Sequence, residues 1–272
     1  MSEKEILSFF AAYIEKQLGI IYADHNYFQL QNRLEEIGKS LGIPSLEGLY
    51  LEAQKGITGN FKLLLMDIST NNETSFFRDE KVFSALKKVV SDNLDTFKND
   101  KLYIWSAASS SGQEALSVSI MLNELMEDAN VTFPYEIAGT DISERILNKA
   151  REGTYTQFEV QRGLSDRLLS KYFSKNIQGH WCASEKLMKN ISYSKVNLIE
   201  PFNFPRKFNM VLCRNVLIYQ KVEAKTEIVR RITETILPRG ILILGSGESL
   251  LGLSSDYEQI MLEGAVIYRK KN

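Results

Sequence analysis

The chain has only two cysteines, two histidines and five prolines among its 272 residues. Cys182 and Cys213 cannot make a disulfide framework, so packing has to hold the fold, and a reducing cytoplasmic setting is expected. His180-Trp181-Cys182 with a distant Cys213 lacks zinc-finger spacing, and no metal site is expected. With His25 and His180 alone, and no GxSxG elbow, a Ser-His-Asp hydrolase is disfavoured. Phosphate loops of the GxxxxGK[ST] type, HExxH motifs and EF-hand loops are missing too. The longest apolar stretches, such as Gly240–Gly245, are far too short to span a bilayer. The start, Met1-Ser-Glu-Lys-Glu, lacks the basic region of a secretory signal, so no direct membrane insertion is expected. There is no excess of positive charge either. Lys and Arg number 33 against 34 Asp and Glu, a net charge of −1, which argues against a nucleic-acid partner.

What is present is ordinary globular composition, 44% hydrophobic and 25% charged, in a length that suits two unequal domains. The first seventy residues read as helices only. Ser2 caps a first helix with Glu5 at the capping-box position, and Ile6, Phe9, Phe10, Tyr13, Ile14 and Leu18 recur at helical spacing until Gly19. Asp24 is expected to cap a second helix running toward Leu41, with Tyr27, Leu30, Leu34 and Ile37 on one face. Ser45 caps a third, and a fourth runs through Phe61–Met66. Residues 1–85 carry eight basic and twelve acidic side chains, so this bundle presents no obvious phosphate-binding face.

From about residue 100 the pattern changes to alternating strands and helices. Leu102–Ser106, Tyr135–Thr140, Phe208–Cys213 and Ile241–Leu244 read as buried strands. Helices are expected from near Gln113 to Leu125, over Glu144–Arg151, and over Val222–Ile236, the last closed by Pro238-Arg239-Gly240. Tyr257–Leu262 and Ala265–Arg269 around Glu263-Gly264 read as a hairpin. Such alternation predicts an α/β domain on a mostly parallel sheet, with an antiparallel hairpin at its end.

Ligands of open α/β sheets bind beyond the carboxyl ends of the strands. After the first strand comes Ser106-Ala-Ala-Ser-Ser-Ser-Gly112-Gln-Glu114, small enough for close backbone approach and opening a helix whose free N–H groups favour an anionic group. Asp141 follows the second strand, placed to accept hydrogen bonds from a ribose diol. Arg214-Asn215 and then Tyr219 follow the third. Singly, each loop reads as ordinary helix capping; together they favour a nucleoside-containing cofactor. The first loop has one glycine and no GxGxxG, so a dinucleotide is disfavoured. A cofactor without a pyrophosphate, such as S-adenosylmethionine, fits better.

The most distinctive string, Asn72-Glu-Thr-Ser-Phe-Phe-Arg-Asp79, lies at the junction of the two patterns. It resembles the NxTxFFR signature of the CheR chemotaxis methyltransferases. Ser106–Ser117 resembles that family's SAxxSTGEEPYS loop, and Thr140-Asp-Ile its (S/T)DI strand end. Gly153-Thr-Tyr155, Tyr172-Phe173, Val196-Asn-Leu198 and Cys213-Arg-Asn-Val-Leu-Ile-Tyr219 resemble its G-x-Y, YF, VNL and CRNVxIY landmarks. The resemblance covers nearly the whole chain.

It implies a seven-stranded, mostly parallel Rossmann-like methyltransferase sheet with a terminal antiparallel hairpin. An all-α domain over 1–78 would precede a methyltransferase domain over 79–272, with a small β-subdomain at about 172–196. It further implies methyl transfer from S-adenosylmethionine, with S-adenosylhomocysteine as product, to glutamate side chains of chemoreceptors. Asn72, Thr74, Arg78 and Ala107 would line the cofactor pocket. Glu114 would meet the methionine end, Asp141 the ribose, and Asn197 and Leu198 the adenine. Arg214 and Asn215 would end the next strand as further cofactor contacts. Tyr219 would lie near the transferable methyl and share the catalytic role with Arg78.

The partners implied are the cytoplasmic methylation helices of chemoreceptors, met by a monomer. Residues 20–40 are the expected contact, with His25, Arg33 and Lys39 as positive charge. Ser174–Val196 reads as too short and too poor in glycine to offer a peptide-binding sheet edge. Departures from the family pattern are Gln113 in place of the first acid of GEE, and Ala115-Leu116 in place of Pro-Tyr. A same-fold methyltransferase on another substrate, and a non-catalytic cofactor-binding module, stand as the alternative readings.

Overall fold

A computed structural model describes residues 2–272. Helix α1 (Glu3–Leu18) begins at a complete capping box, in which the Ser2 hydroxyl accepts from the Glu5 amide and the Glu5 carboxylate from the Ser2 amide. Gly19, in the left-handed region at φ 68°, closes it. Helices α2 (Tyr27–Leu41), α3 (Leu46–Lys55) and α4 (Gly59–Ser69) complete the bundle. Phe10, Ile14, Leu30, Leu34, Ile37 and Leu65 form its core. Each is worth roughly 1.5–3 kcal/mol of burial.

Two expectations for this region are corrected. Asp24 is not the cap of α2. It lies in a short 3₁₀ turn ahead of that helix, and its carboxylate pairs with Lys4 at 2.6 Å. Arg33, expected to lend positive charge to a receptor contact, has one terminal nitrogen already engaged within the bundle. Its guanidinium folds inward to the Tyr22 hydroxyl and, at 2.7 Å, to the Ser69 carbonyl at the end of α4. There its charge meets the negative end of the helix dipole.

Helices α5 (Glu80–Ser91) and α6 (Leu94–Asn99) lead into the α/β region. Phe83, Leu86 and Val90 of α5 pack against the sheet. The chain then alternates through β1 (Leu102–Ala107), α7 (Gln113–Asp128), β2 (Tyr135–Asp141), α8 (Glu144–Glu152), β3 (Thr154–Tyr155), α9 (Gln157–Gln161) and α10 (Asp166–Tyr172). Next come β4 (Phe173–Lys175), β5 (Trp181–Ala183), α11 (Glu185–Met188), β6 (Ile191–Lys195), β7 (Phe208–Cys213), α12 (Val222–Thr235), β8 (Ile236–Leu244), β9 (Tyr257–Leu262) and β10 (Ala265–Lys270). Seven strands form one sheet in the order β6-β2-β1-β7-β8-β10-β9. The first five run parallel, and β10 is antiparallel to both its neighbours. Glu263 and Gly264, both at positive φ, make the tight turn of the terminal hairpin.

The small sheet differs from the expected segment 172–196. It is antiparallel, in the order β3-β5-β4, and recruits Thr154–Tyr155 from upstream. Ile191–Lys195 instead forms the edge of the main sheet, beside β2. Ile191 and Tyr193 alternate onto the main core there, which fixes the face that strand must show. The segment 174–196 does carry part of a sheet edge, because β4 is unpaired on its outer side. Pro238 also plays another part than expected. The last helix stops at Thr235, and Pro238 lies inside β8 where the pairing with β7 is irregular and Arg239 has φ 61°. A residue without an N–H is tolerated at such a bulge.

Candidate active site

A cleft of about 1010 Å³, partly open to solvent, lies beyond the carboxyl ends of β1, β2 and β7. Leu18 and Ile20 wall it from the helical bundle, and Thr70–Ser75 with Arg78 wall it from the junction. Every site residue expected from the sequence lines it except Ala107. Ala107 ends β1 inside the core, and the backbone turns one residue later, with Ala108 at φ 56° facing the cleft instead. Ser110 at φ 51° and Gly112 at φ 88° continue this left-handed winding. A Cβ on Gly112 would stand 2.6 Å from the Tyr193 hydroxyl, so that turn admits glycine alone.

Asp141 is almost fully buried. Its two carboxylate oxygens accept from the Ser110 amide at 2.9 Å and the Ser143 amide at 3.1 Å. Burial pushes its pKa up, against the pull of these backbone donors. Each oxygen keeps a lone pair, which a vicinal diol can fill. Asn72 is stapled alongside, its carbonyl accepting from the Ser110 hydroxyl at 2.8 Å.

Around Arg214 the cleft is built from charge. Its side chain is 3% exposed. One terminal nitrogen donates to Glu114 at 2.9 Å, and the other to the Arg78 carbonyl at 2.6 Å and the Asp79 carboxylate at 2.5 Å. The second oxygen of Glu114 accepts from the Ser106 hydroxyl at 2.7 Å. Arg214 therefore holds Glu114 and the Arg78 backbone in place; sequence reasoning had it as a cofactor contact only. Arg78 sits between two left-handed residues, Phe77 at φ 47° and Asp79 at φ 61°. That backbone is costly for a phenylalanine, and it is over-determined here. Phe76 is locked among Tyr155 and Phe173, while Phe77 packs on Phe83 and its amide donates to the Ser117 hydroxyl. The Arg78 guanidinium donates to the Glu73 carbonyl at 3.1 Å.

Tyr219 closes a short 3₁₀ turn, Leu217–Tyr219. Glu248 winds this loop: its carboxylate accepts from the amides of Asn215 and Val216 at 2.8 Å, Ile218 at 3.2 Å and Gly245 at 2.7 Å. Asn215 is left-handed at φ 59°. The Tyr219 carbonyl accepts from the Ile21 amide, and Gln220 donates to the Leu18 carbonyl at 3.1 Å, so the bundle and this loop are stitched together. Gly19 is required by that contact, since a Cβ would stand 1.9 Å from the Gln220 amide oxygen. Asn197 donates to the Gln17 carbonyl, and Leu198 joins Ile20, Ile142 and Ile199 in an apolar stretch of the wall.

Sequence reasoning missed Glu248, Asp79, Gln220 and Gly19 as builders of the site. A carboxylate three residues after a strand-end glycine is the one local signal for Glu248; the others act through contacts distant in sequence. Charge around Glu114 and Arg214, a buried acid with spare lone pairs, and an apolar wall match an amino-acid end, a ribose and a base. The donor set therefore fits S-adenosylmethionine. Among the described residues no group of three or more His, Cys, Asp or Glu could hold a metal, and no helix is long and apolar enough to cross a membrane.

Comparison with known proteins agrees with this chemistry. Residues 72–266 match the family described as CheR methyltransferase, SAM binding domain. Chemotaxis protein methyltransferase Cher2 of Pseudomonas putida is 32% identical over 96% of both chains. Chemotaxis protein methyltransferase 1 of Pseudomonas aeruginosa is 34% identical, again over 96% of each. Chemotaxis protein methyltransferase 1 of Vibrio cholerae is 30% identical over 96% of this chain and 95% of its own. A cleft shaped for a sulfonium nucleoside, and a match running from the junction string to the last strand, make this chain a member of the CheR family of S-adenosylmethionine-dependent chemotaxis methyltransferases.

Proposed function

We propose that the chain methylates glutamate side-chain carboxylates of methyl-accepting chemoreceptors, leaving glutamate methyl esters. In this reading it acts as a monomer on the receptors' cytoplasmic methylation helices. Residues 1–78 serve as the helical domain and 79–272 as the methyltransferase domain. The observation that carries the reading is one contiguous set of contacts. Tyr219 meets Asn71, Arg78 meets Glu73 two residues on, and Arg214 ties the Arg78 backbone to Glu114. A phenol and a guanidinium thus line one cleft with the residues that suit the cofactor.

When bound, S-adenosylmethionine supplies a methyl already activated by its sulfonium, which leaves as a neutral thioether. Asn72, Thr74, Arg78, Glu114, Asp141, Asn197, Leu198, Arg214 and Asn215 line the cleft and would hold it. A glutamate carboxylate, with a reference pKa of ~4.3, is ionised at neutral pH and needs no general base. The chain has to orient that carboxylate and exclude water. Arg78 draws the anion in by charge. The Tyr219 hydroxyl donates to one carboxylate oxygen and leaves the other free to attack. Leu18 and Ile20 keep water from the wall they form.

The test is incubation with radiolabelled S-adenosylmethionine and chemoreceptor-containing membranes, followed by alkali. Volatile radioactive methanol is expected, since esters hydrolyse under base. Label that stays on protein after alkali, or that never reaches the receptors, refutes the glutamate-ester reading.

A further inference from the structure

Asn71 is the residue of the junction just outside the NxTxFFR string, and it carries a contact that the site has so far left unexplained. Its side-chain nitrogen donates to the Tyr219 phenol oxygen at 3.0 Å. Its side-chain oxygen accepts from the Glu73 backbone amide at 3.4 Å. The second contact fixes the first. Turning the amide over would set an NH₂ group against the Glu73 N–H, two donors face to face, so the nitrogen has to face Tyr219. The residues on either side are pinned as well. The Thr70 hydroxyl bonds Asn72 and the Asp67 carbonyl, and the Asn72 carbonyl accepts from Ser110. Among the described residues no other group hydrogen-bonds the phenol.

A phenol oxygen that accepts from Asn71 keeps its own proton for something else. Tyr219 lines the cleft and is 37% exposed, so that proton is available to an incoming group. We propose that Asn71 is a positioning residue that commits Tyr219 to act as a hydrogen-bond donor toward the substrate carboxylate. The proposal rests on the glutamate-methylation reading. It adds that the direction of one hydroxyl is set from the helical-domain side of the junction, by an amide locked on its own backbone. Anionic substrates are then favoured over neutral amides at this spot, because a charged acceptor takes a stronger hydrogen bond from the same donor.

Asn71→Ala and Asn71→Asp, each made alone and in the Tyr219→Phe background, test the proposal. Alanine removes the fixing donor, and kcat is expected to fall about 5-fold, the scale of one ordinary hydrogen bond. Aspartate offers an acceptor in place of the donor and captures the phenolic proton, so kcat is expected to fall further, by about 10-fold or more. In the Tyr219→Phe background the two variants should be equal, because no hydroxyl is left to turn. Calorimetry with S-adenosylhomocysteine should give unchanged affinity throughout, and thermal melts should match the parent, since Asn71 is exposed. An aspartate penalty that persists undiminished in the Tyr219→Phe background would mean that added charge alone repels the substrate, and would overturn the proposal. So would equal activity of the alanine and aspartate variants with Tyr219 present. Parent-rate methylation by Tyr219→Phe alone would overturn it as well. Failure of the underlying reading looks different: the parent chain itself would then put no alkali-labile label on receptors.

Discussion

Around Arg214 the cleft is built from a buried guanidinium that spends both terminal nitrogens on Glu114, Asp79 and the Arg78 carbonyl. Toward Asn197, Leu18, Ile20, Leu198 and Ile199 present carbon, and the polar contacts are single bonds to backbone such as Asn197 to Gln17. The first region gets its precision from charge in a low-dielectric setting, where a misplaced partner is expensive. The second gets its shape from packing between the bundle and the sheet, which tolerates small shifts better. In the proposed reading a charged amino-acid end would be fixed by the first construction and a base enclosed by the second.

The comparison is broken most severely at Arg214. Arg214→Met should leave Glu114 and Asp79 without their cation and cost on the order of 3 kcal/mol of stability. Urea unfolding measures this, and methylation should be lost with it. The packed wall has its own weak point at Gly19. Gly19→Ala forces a Cβ into Gln220 and a side chain into the left-handed region, for a cost of about 2 kcal/mol. Binding of S-adenosylhomocysteine should weaken in parallel, because Leu18 and Ile20 move with that contact. A Gly19→Ala protein that melted and bound like the parent would remove the bundle from the cleft's architecture.

Asp141 lies between the two constructions. Asp141→Asn keeps one oxygen acceptor and loses the other, so affinity for S-adenosylhomocysteine should drop about tenfold in calorimetry. The acidic limb gives a sharper view. Burial raises the Asp141 pKa, so the folded protein takes up this proton above the ordinary Asp value of ~3.9. Cofactor affinity should therefore begin to fall while exposed carboxylates are still ionised, and Asp141→Asn should flatten that fall.

Glu124, on the outer side of α7, has the opposite sign and the smallest effect. Burial works to raise its pKa, but Lys171, Arg167 and Tyr172 together hold it down to about 2. Its contribution is present above the unfolded-state value of ~4.3 and is lost as pH falls toward 2. The stability gap between the parent and Glu124→Gln should thus be full at pH 6 and shrink on acidification, with no change in cofactor affinity at neutral pH. The contacts are partly exposed, so the gap is modest.

The legible part of this molecule follows from local signals. Ser2 and Glu5 spell a capping box, and Ile104, Ile137 and Met210 lie on strands short and apolar enough to read directly. Asp141, Glu114 and Tyr219 lie at strand ends or in strings of fixed spacing. What escaped depends on partners far along the chain. Glu248 shows its purpose only when its four amides gather round it, and Arg33 looks like a surface cation until Ser69 is found beneath it. The β3-β5-β4 sheet escaped for another reason. Strands of two and three residues are too brief to show a period, so the sequence alone does not separate them from Ile191–Lys195, whose alternation belongs to the large sheet. Ala108 rather than Ala107 faces the cleft, because no sequence pattern announces that Ala108 turns left-handed.

The stitch between the bundle and the Tyr219 loop sets the order in which the protein can be completed. Asn197 reaches Gln17 across 180 residues, and Gln220 reaches Leu18 across 202. At about 5–20 residues per second of synthesis, α1 waits on the order of 10–40 s for the partner that closes its end of the cleft. In thermodynamic terms so long a loop is little worse than one half its length, by about 0.6 kcal/mol, but in time it comes late. The cleft wall is thus a late event of folding. A chain interrupted before residue 197 has the bundle, the first strands and Asp141, yet lacks both the far wall and the tyrosine. Cofactor binding would in that sense report that the end of α1 and the Tyr219 loop have met.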